Sequence, residues 1–98
     1  MKAIFIVYNQ AFNEEVLELL EDYGQRGFTR WVDISGRGSG EGIPHMGNHA
    51  WPEMNHAVLT FVEDDHTARK ILIALHDKDL ESPDLGLRAF AWDVTGQV

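Results

Sequence analysis

The sequence predicts an α+β sandwich, with two helices covering one face of a four-stranded antiparallel sheet in the chain order β-α-β-β-α-β. Three observations carry this. Four short runs are rich in β-branched and aromatic residues, and two segments between them carry apolar residues at helical spacing. The runs and segments alternate as two βαβ halves, the split arrangement of ferredoxin-like folds. At 98 residues the chain makes one domain, residues 1–98.

Lys2 to Tyr8 (KAIFIVY) is apolar on both parities, the mark of a strand covered on both faces. Asn9 and Gln10 end it. Asn13 is the expected N-cap of the first helix, with Glu14 and Glu15 favourably placed in its first turn. Val16, Leu19, Leu20 and Tyr23 make its apolar stripe, and Gly24 stops it. Phe28 to Ser35 reads as the second strand, with Phe28, Val32 and Ile34 on one face and Thr29, Trp31, Asp33 and Ser35 on the other. His56 to Val62 is the third strand, again apolar on both parities. Asp64 or Asp65 caps the second helix, whose buried stripe is Ala68, Ile71, Leu72 and Leu75. His66 falls near its start, and His76 near its end, where the helix dipole favours a cation. Lys78 to Gly86 reads as a connection, and Leu87 to Val94 as the last strand.

Helices on one side leave the other sheet face bare. Both faces nevertheless carry large apolar groups: Ile4, Ile6 and Tyr8 oppose Ala3, Phe5 and Val7, and Phe90 and Trp92 oppose Leu87, Ala89 and Ala91. A bare face of that content is an apolar patch of interaction-site size. The expectation is sheet-to-sheet oligomerisation.

Composition narrows the partners. The formal charge of -8 speaks against nucleic acid, whose binding depends on phosphate neutralisation, and favours cations or a basic protein patch. With no cysteine, neither disulfides nor thiolate metal sites are available, which fits a reducing compartment. The N-terminal apolar run is too short for a signal peptide, and none approaches a membrane span, so a cytoplasmic protein not inserted in membrane is expected.

Function concentrates in 36–55, GRGSGEGIPHMGNHAWPEMN, a long irregular loop between the second and third strands. It holds five of the nine glycines and two of the three prolines, too many to be regular structure. Gly36, Gly38 and Gly40, spaced two apart around Arg37, can turn backbone N–H groups toward an anion while Arg37 pairs with a phosphate; a flexible hinge is the plainer reading. His45, His49 and His56, with Glu53, are the candidate ligands for a divalent ion, against ordinary loop polarity. Met46 and Met54 extend that case to cuprous ion or serve as adaptable packing groups. Trp51 can stack on a ligand, anchor a partner, or pin the loop to its own sheet or a neighbouring subunit.

The element order, together with Val32-Asp33-Ile34-Ser35-Gly36-Arg37-Gly38-Ser39-Gly40-Glu41-Gly42, resembles the PII signalling proteins, in which similar glycine steps open a long loop, the T-loop, after the second strand. The resemblance covers nearly the whole chain in topology and about ten residues in motif. It implies a homotrimer with sheets facing inward, ligands in clefts between subunits, sensing of adenine nucleotides and 2-oxoglutarate, and control of a membrane transporter or enzyme through the loop. On it rest Gly36, Arg37, Gly38, Gly40 and Trp51 as ligand or partner contacts in a non-enzymatic regulator of cytoplasmic location. The ligand is a small molecule, a nucleotide or a metal ion. The acidic run Asp77-Lys78-Asp79-Leu80-Glu81-Ser82-Pro83-Asp84 stands where the family carries a glycine- and lysine-rich phosphate-binding stretch, and it repels phosphates. The alternatives are a small ferredoxin-like enzyme of the cofactor-free monooxygenase or isomerase type, and a metal-tolerance protein like the CutA family, which shares the trimeric fold.

Overall fold

The computed structural model describes residues 1–36, 44, 46 and 54–98. They form strand β1 (Lys2–Asn9), helix α1 (Asn13–Asp22), strands β2 (Thr29–Ile34) and β3 (Asn55–Val62), helix α2 (Asp65–Glu81) and strand β4 (Arg88–Asp93). Short 3₁₀ turns precede α1 at Gln10–Phe12 and follow α2 at Pro83–Leu85. The sheet runs β2-β3-β1-β4 with every neighbour antiparallel, the order of the split βαβ arrangement. The two apolar runs, β1 and β3, hold its centre, as expected of strands covered on both faces.

Side-chain alternation then divides the sheet. Ile4, Ile6 and Tyr8 of β1 and Val58 and Val62 of β3 point to the helices. There they meet Val16 and Leu20 of α1 and Ala68, Ile71 and Leu75 of α2, with Phe12 and Leu87 closing the ends. Burying each large side chain in this set is worth about 1.5–3 kcal/mol. Leu72 of the predicted stripe packs against this core from a partly buried position.

Three local expectations are corrected. Asn13 is not the N-cap of α1 but its first helical residue, at φ −55° and ψ −50°. The 3₁₀ turn moves the cap back to Asn9, whose side chain accepts the Ala11 N–H at 2.8 Å. Helix α2 continues through Lys78 to Glu81 instead of yielding to a connection. Lys78 lies 3.8 Å from Glu15 and 3.5 Å from Glu81, and Arg88 meets Asp79 at 3.3 Å, so the acidic run is matched by cations from its own helix and from β4. The break comes at Ser82, where the following Pro83 disfavours helical backbone. His76 is therefore interior to the helix, and Lys78 occupies the dipole-favoured last turn.

The third correction is in β2. Trp31 stands opposite Ala57 but Ile34 opposite Asn55, so one extra residue sits between them. Asp33 takes φ 54°, a left-handed conformation that aspartate tolerates better than most residues. The result is a bulge that ends the simple alternation predicted across Phe28–Ser35.

The ends of the helices match their sequence signals. Asp64 caps α2, its Oδ2 accepting the Thr67 N–H at 3.0 Å and the Thr67 hydroxyl at 2.8 Å. Gly24, at φ 76°, ends α1: its N–H bonds Glu21 O at 2.8 Å while the Gln25 N–H bonds Leu20 O at 2.9 Å, the paired bonds of a Schellman ending.

Candidate functional site

Two places on this scaffold carry functional potential: the base of the long loop and a cleft at the far end of β2 and β3.

The loop leaves the sheet after Ile34 and returns at Asn55. Its base is tied down. The Gln10 N–H donates to Met54 O at 2.9 Å, the Ser35 hydroxyl donates to Met46 O at 3.4 Å, and Met46 and Met54 form an antiparallel bridge. Gly36 approaches Asn55 so closely that a Cβ there would lie 2.6 Å from Asn55 Nδ2, which accounts for glycine at that position. Behind the base, the buried Tyr8 hydroxyl donates to Asn13 Oδ1 at 2.9 Å, and Arg30 Nη1 donates to the same oxygen at 3.1 Å. The freed Asn13 side chain thus joins β1, α1 and β2. Burial pushes the Tyr8 phenol up to about 12, with the Arg30 charge pulling weakly the other way.

Of the residues nominated from sequence, Gly36 and His56 fall within the described part of the chain; Arg37, Gly38, Gly40, His45, His49 and Trp51 lie outside it. His56 has a structural task. Its Nδ1 accepts the Asp33 N–H at 3.2 Å, which holds the bulge, and its ring meets Tyr8 edge to face at 6.0 Å. Among the described residues, Nε2 is the ring nitrogen without a hydrogen-bond partner. Among the described residues, no group of three or more His, Asp or Glu side chains is arranged to hold a metal ion.

The second place was not nominated. A cleft of about 470 Å³ opens between the turn Tyr23, Gly24, Gln25, Arg26 and Gly27 and the segment Phe61 to Asp64, with Thr67 at its edge. Its size lies within the usual range of small-molecule sites. Arg26 is its cation, Glu63 and Asp64 its acids. The Thr67 hydroxyl and N–H hold the Asp64 carboxyl below its ordinary range, so it stays ionised. The sequence clue was the pair Gly24 and Gly27 around Gln25-Arg26, of which only the helix stop at Gly24 was legible.

Phe61 connects this cleft to the bare sheet face. It lines the cleft and is 49% exposed. It stands across Ala3 from Trp92. Phe5, flanked by Leu59 and Phe90, makes the next row, and Val7, flanked by Ala57 and Arg88, the third. Trp31, opposite Ala57, meets the Phe5 ring edge to face at 6.5 Å. Trp31, Phe90 and Trp92 are about half exposed, so the face opposite the helices presents several large aromatic side chains to solvent.

An α+β sandwich of this strand order has the PII-like, ferredoxin-like fold. Solved structures agree. CPII from Thiomonas intermedia K12, a nitrogen regulatory PII-like protein, superposes with a TM-score of 0.75 in its complex with ADP and bicarbonate, at 19% identity over 95% of this chain and 84% of that one. Its apo form gives 0.71 at 17% identity, over 95% and 87% of the two chains. A candidate PII-like signalling protein from Thermus thermophilus gives 0.66 at 22% identity, over 95% and 84%. No protein-family model and no curated protein matches the sequence. At these identities the likeness is one of fold.

Proposed function

We propose that this protein is a trimeric PII-like regulator that binds an adenine nucleotide at the boundary between subunits and docks on a partner, a transporter or an enzyme, through residues 36–55. The observation that carries the reading is the place of Phe61, shared between the aromatic face and the cleft. A neighbouring copy covering that face would bring its own surface to the cleft's rim. The loop base and the cleft lie at opposite ends of β3, roughly 23 Å apart at about 3.3 Å per residue. With the two ends this far apart, we propose that the 36–55 segment meeting a bound ligand is supplied by the next subunit.

Charge supports a division of labour. Among the described residues, Arg26 is the one cation facing Glu63 and Asp64 in the cleft, which suits an uncharged base and sugar. The phosphates then need cations from the neighbour, where Arg37 stands at the start of the 36–55 segment in sequence. CPII binds ADP, AMP and bicarbonate, so these are the first probes for this chain. The His45, His49 and His56 set remains the proposal for a metal response, with His56 contributing through Nε2.

The test is native mass spectrometry of untagged protein, with and without chelator and with added ADP. A trimer taking up one ADP per subunit supports the reading, whereas a monomer or dimer sinks it. A chelator-removable metal that persists after His45→Ala and His49→Ala substitution removes the histidine assignment while leaving the trimer standing.

A further inference from the structure

The buried face of β3 has one residue out of character. Thr60 is fully buried on the helix side, directly across from Ile4, where a valine would pack as well. Its hydroxyl both donates and accepts. It donates to Gly27 O at 2.6 Å and accepts from Gln25 Nε2 at 2.7 Å. The same Gln25 amide donates to Phe61 O at 2.8 Å. The Gln25 backbone N–H meanwhile closes the end of α1 on Leu20 O. One residue thus fastens α1, the turn that walls the cleft, and the last residues of β3.

We infer that Gln25 and Thr60 are positioning residues of the cleft, holding its wall at a fixed spacing from Phe61 and Val62 before any ligand arrives. This rests on the cleft being the ligand site. Neither side chain needs to touch the ligand. The backbone N–H groups of Tyr23, Gly24 and Gln25 bond back onto α1, but the Gly27 carbonyl is held by a side chain, the buried Thr60 hydroxyl. A wall fixed in advance spares the ligand the ordering of that turn, and affinity rises without new contacts. The staple also sets the width of the cleft, and with it the size of ring system admitted.

The experiment compares Gln25→Met, Thr60→Val and Thr60→Ser with the unaltered protein, by calorimetric titration with ADP and by amide hydrogen exchange over 24–28. Gln25→Met keeps the length of the side chain and loses both donors. Thr60→Val keeps shape and loses the hydroxyl; Thr60→Ser keeps the hydroxyl. The expected result is ADP affinity lower by about tenfold in the first two, faster exchange over 24–28 in both, and near-complete recovery in Thr60→Ser, with the oligomer unchanged. A purely structural hydroxyl would alter melting but not the ADP affinity of folded protein well below the midpoint. Unchanged affinity and exchange in Gln25→Met overturn the inference. If the unaltered protein takes up no ADP, the nucleotide reading fails by itself. Exchange then decides the staple: faster exchange over 24–28 sustains it, and unchanged exchange ends it.

Discussion

The two faces of the sheet are built from the same kind of residue and meet different fates. Ile4, Ile6 and Tyr8 are fully buried beneath the helices, while Phe5 and Val7, one step along the same strand, look toward a face where Phe90 is 58% exposed. Period-two alternation makes this division unavoidable, and the two helices cover one side of it. The difference teaches that much of the apolar content is suited to a partner surface. The aromatic side is richer in large rings than the core, whose ring residues are Tyr8 and Phe12.

The largest effect should therefore come from charging the open face. Phe90→Glu together with Trp92→Glu places carboxylates in what we propose is the subunit interface, and burying them unpaired costs far more than the rings contributed. Complete dissociation to folded monomers is the expected outcome, seen as a fall in mass by light scattering with an unchanged far-UV spectrum. An oligomer that survives both charges would show that copies meet elsewhere. The helix-covered face should respond the other way. Ile71→Ala leaves a cavity under α2 and should lower unfolding stability by about 2–5 kcal/mol, read from urea midpoints, while the folded fraction keeps its assembly. A midpoint that barely moves would mean the core under α2 can collapse around the loss.

Much of this division was legible in sequence. Runs apolar on both parities, Lys2 to Tyr8 and His56 to Val62, mark the central strands, and the Ala68, Ile71 and Leu75 stripe marks the buried side of α2. What escaped depends on contacts made at a distance. The bulge needs Asp33 in a left-handed conformation and a histidine nitrogen from β3 to receive its N–H, and no periodicity encodes that. The one apolar residue of Lys78 to Glu81, Leu80, stays exposed, and the helical state there is supported by Glu15 and Arg88 from other elements. The cleft escaped for the same reason: Gln25 finds Thr60 35 residues later. Loop positions such as Arg37, His45 and Trp51 stood out by composition instead, a signal that marks residue type but not arrangement.

Tyr8 supplies the smallest and most specific test of the covered face. Its ring lies on the same strand as Phe5 and Val7, yet beneath the helices its hydroxyl is shut away from water with Asn13 as partner. Burial favours the neutral phenol, so the folded protein keeps this proton up to about pH 12, whereas the unfolded chain releases it near 10. Between those values the folded state binds more protons than the unfolded one, and stability must fall as pH rises. Two units correspond to a loss of at most about 2.7 kcal/mol across that window, with none from this group below it. Tyr8→Phe should cost about 1 kcal/mol near neutral pH, because Asn13 Oδ1 keeps only the Arg30 donor, and should flatten the decline between pH 10 and 12. Every other group is common to both proteins, so the difference between the two urea-midpoint curves isolates Tyr8. Curves that stay parallel through pH 12 would mean that water reaches the hydroxyl, and that the covered face is more open at the loop base than the geometry implies.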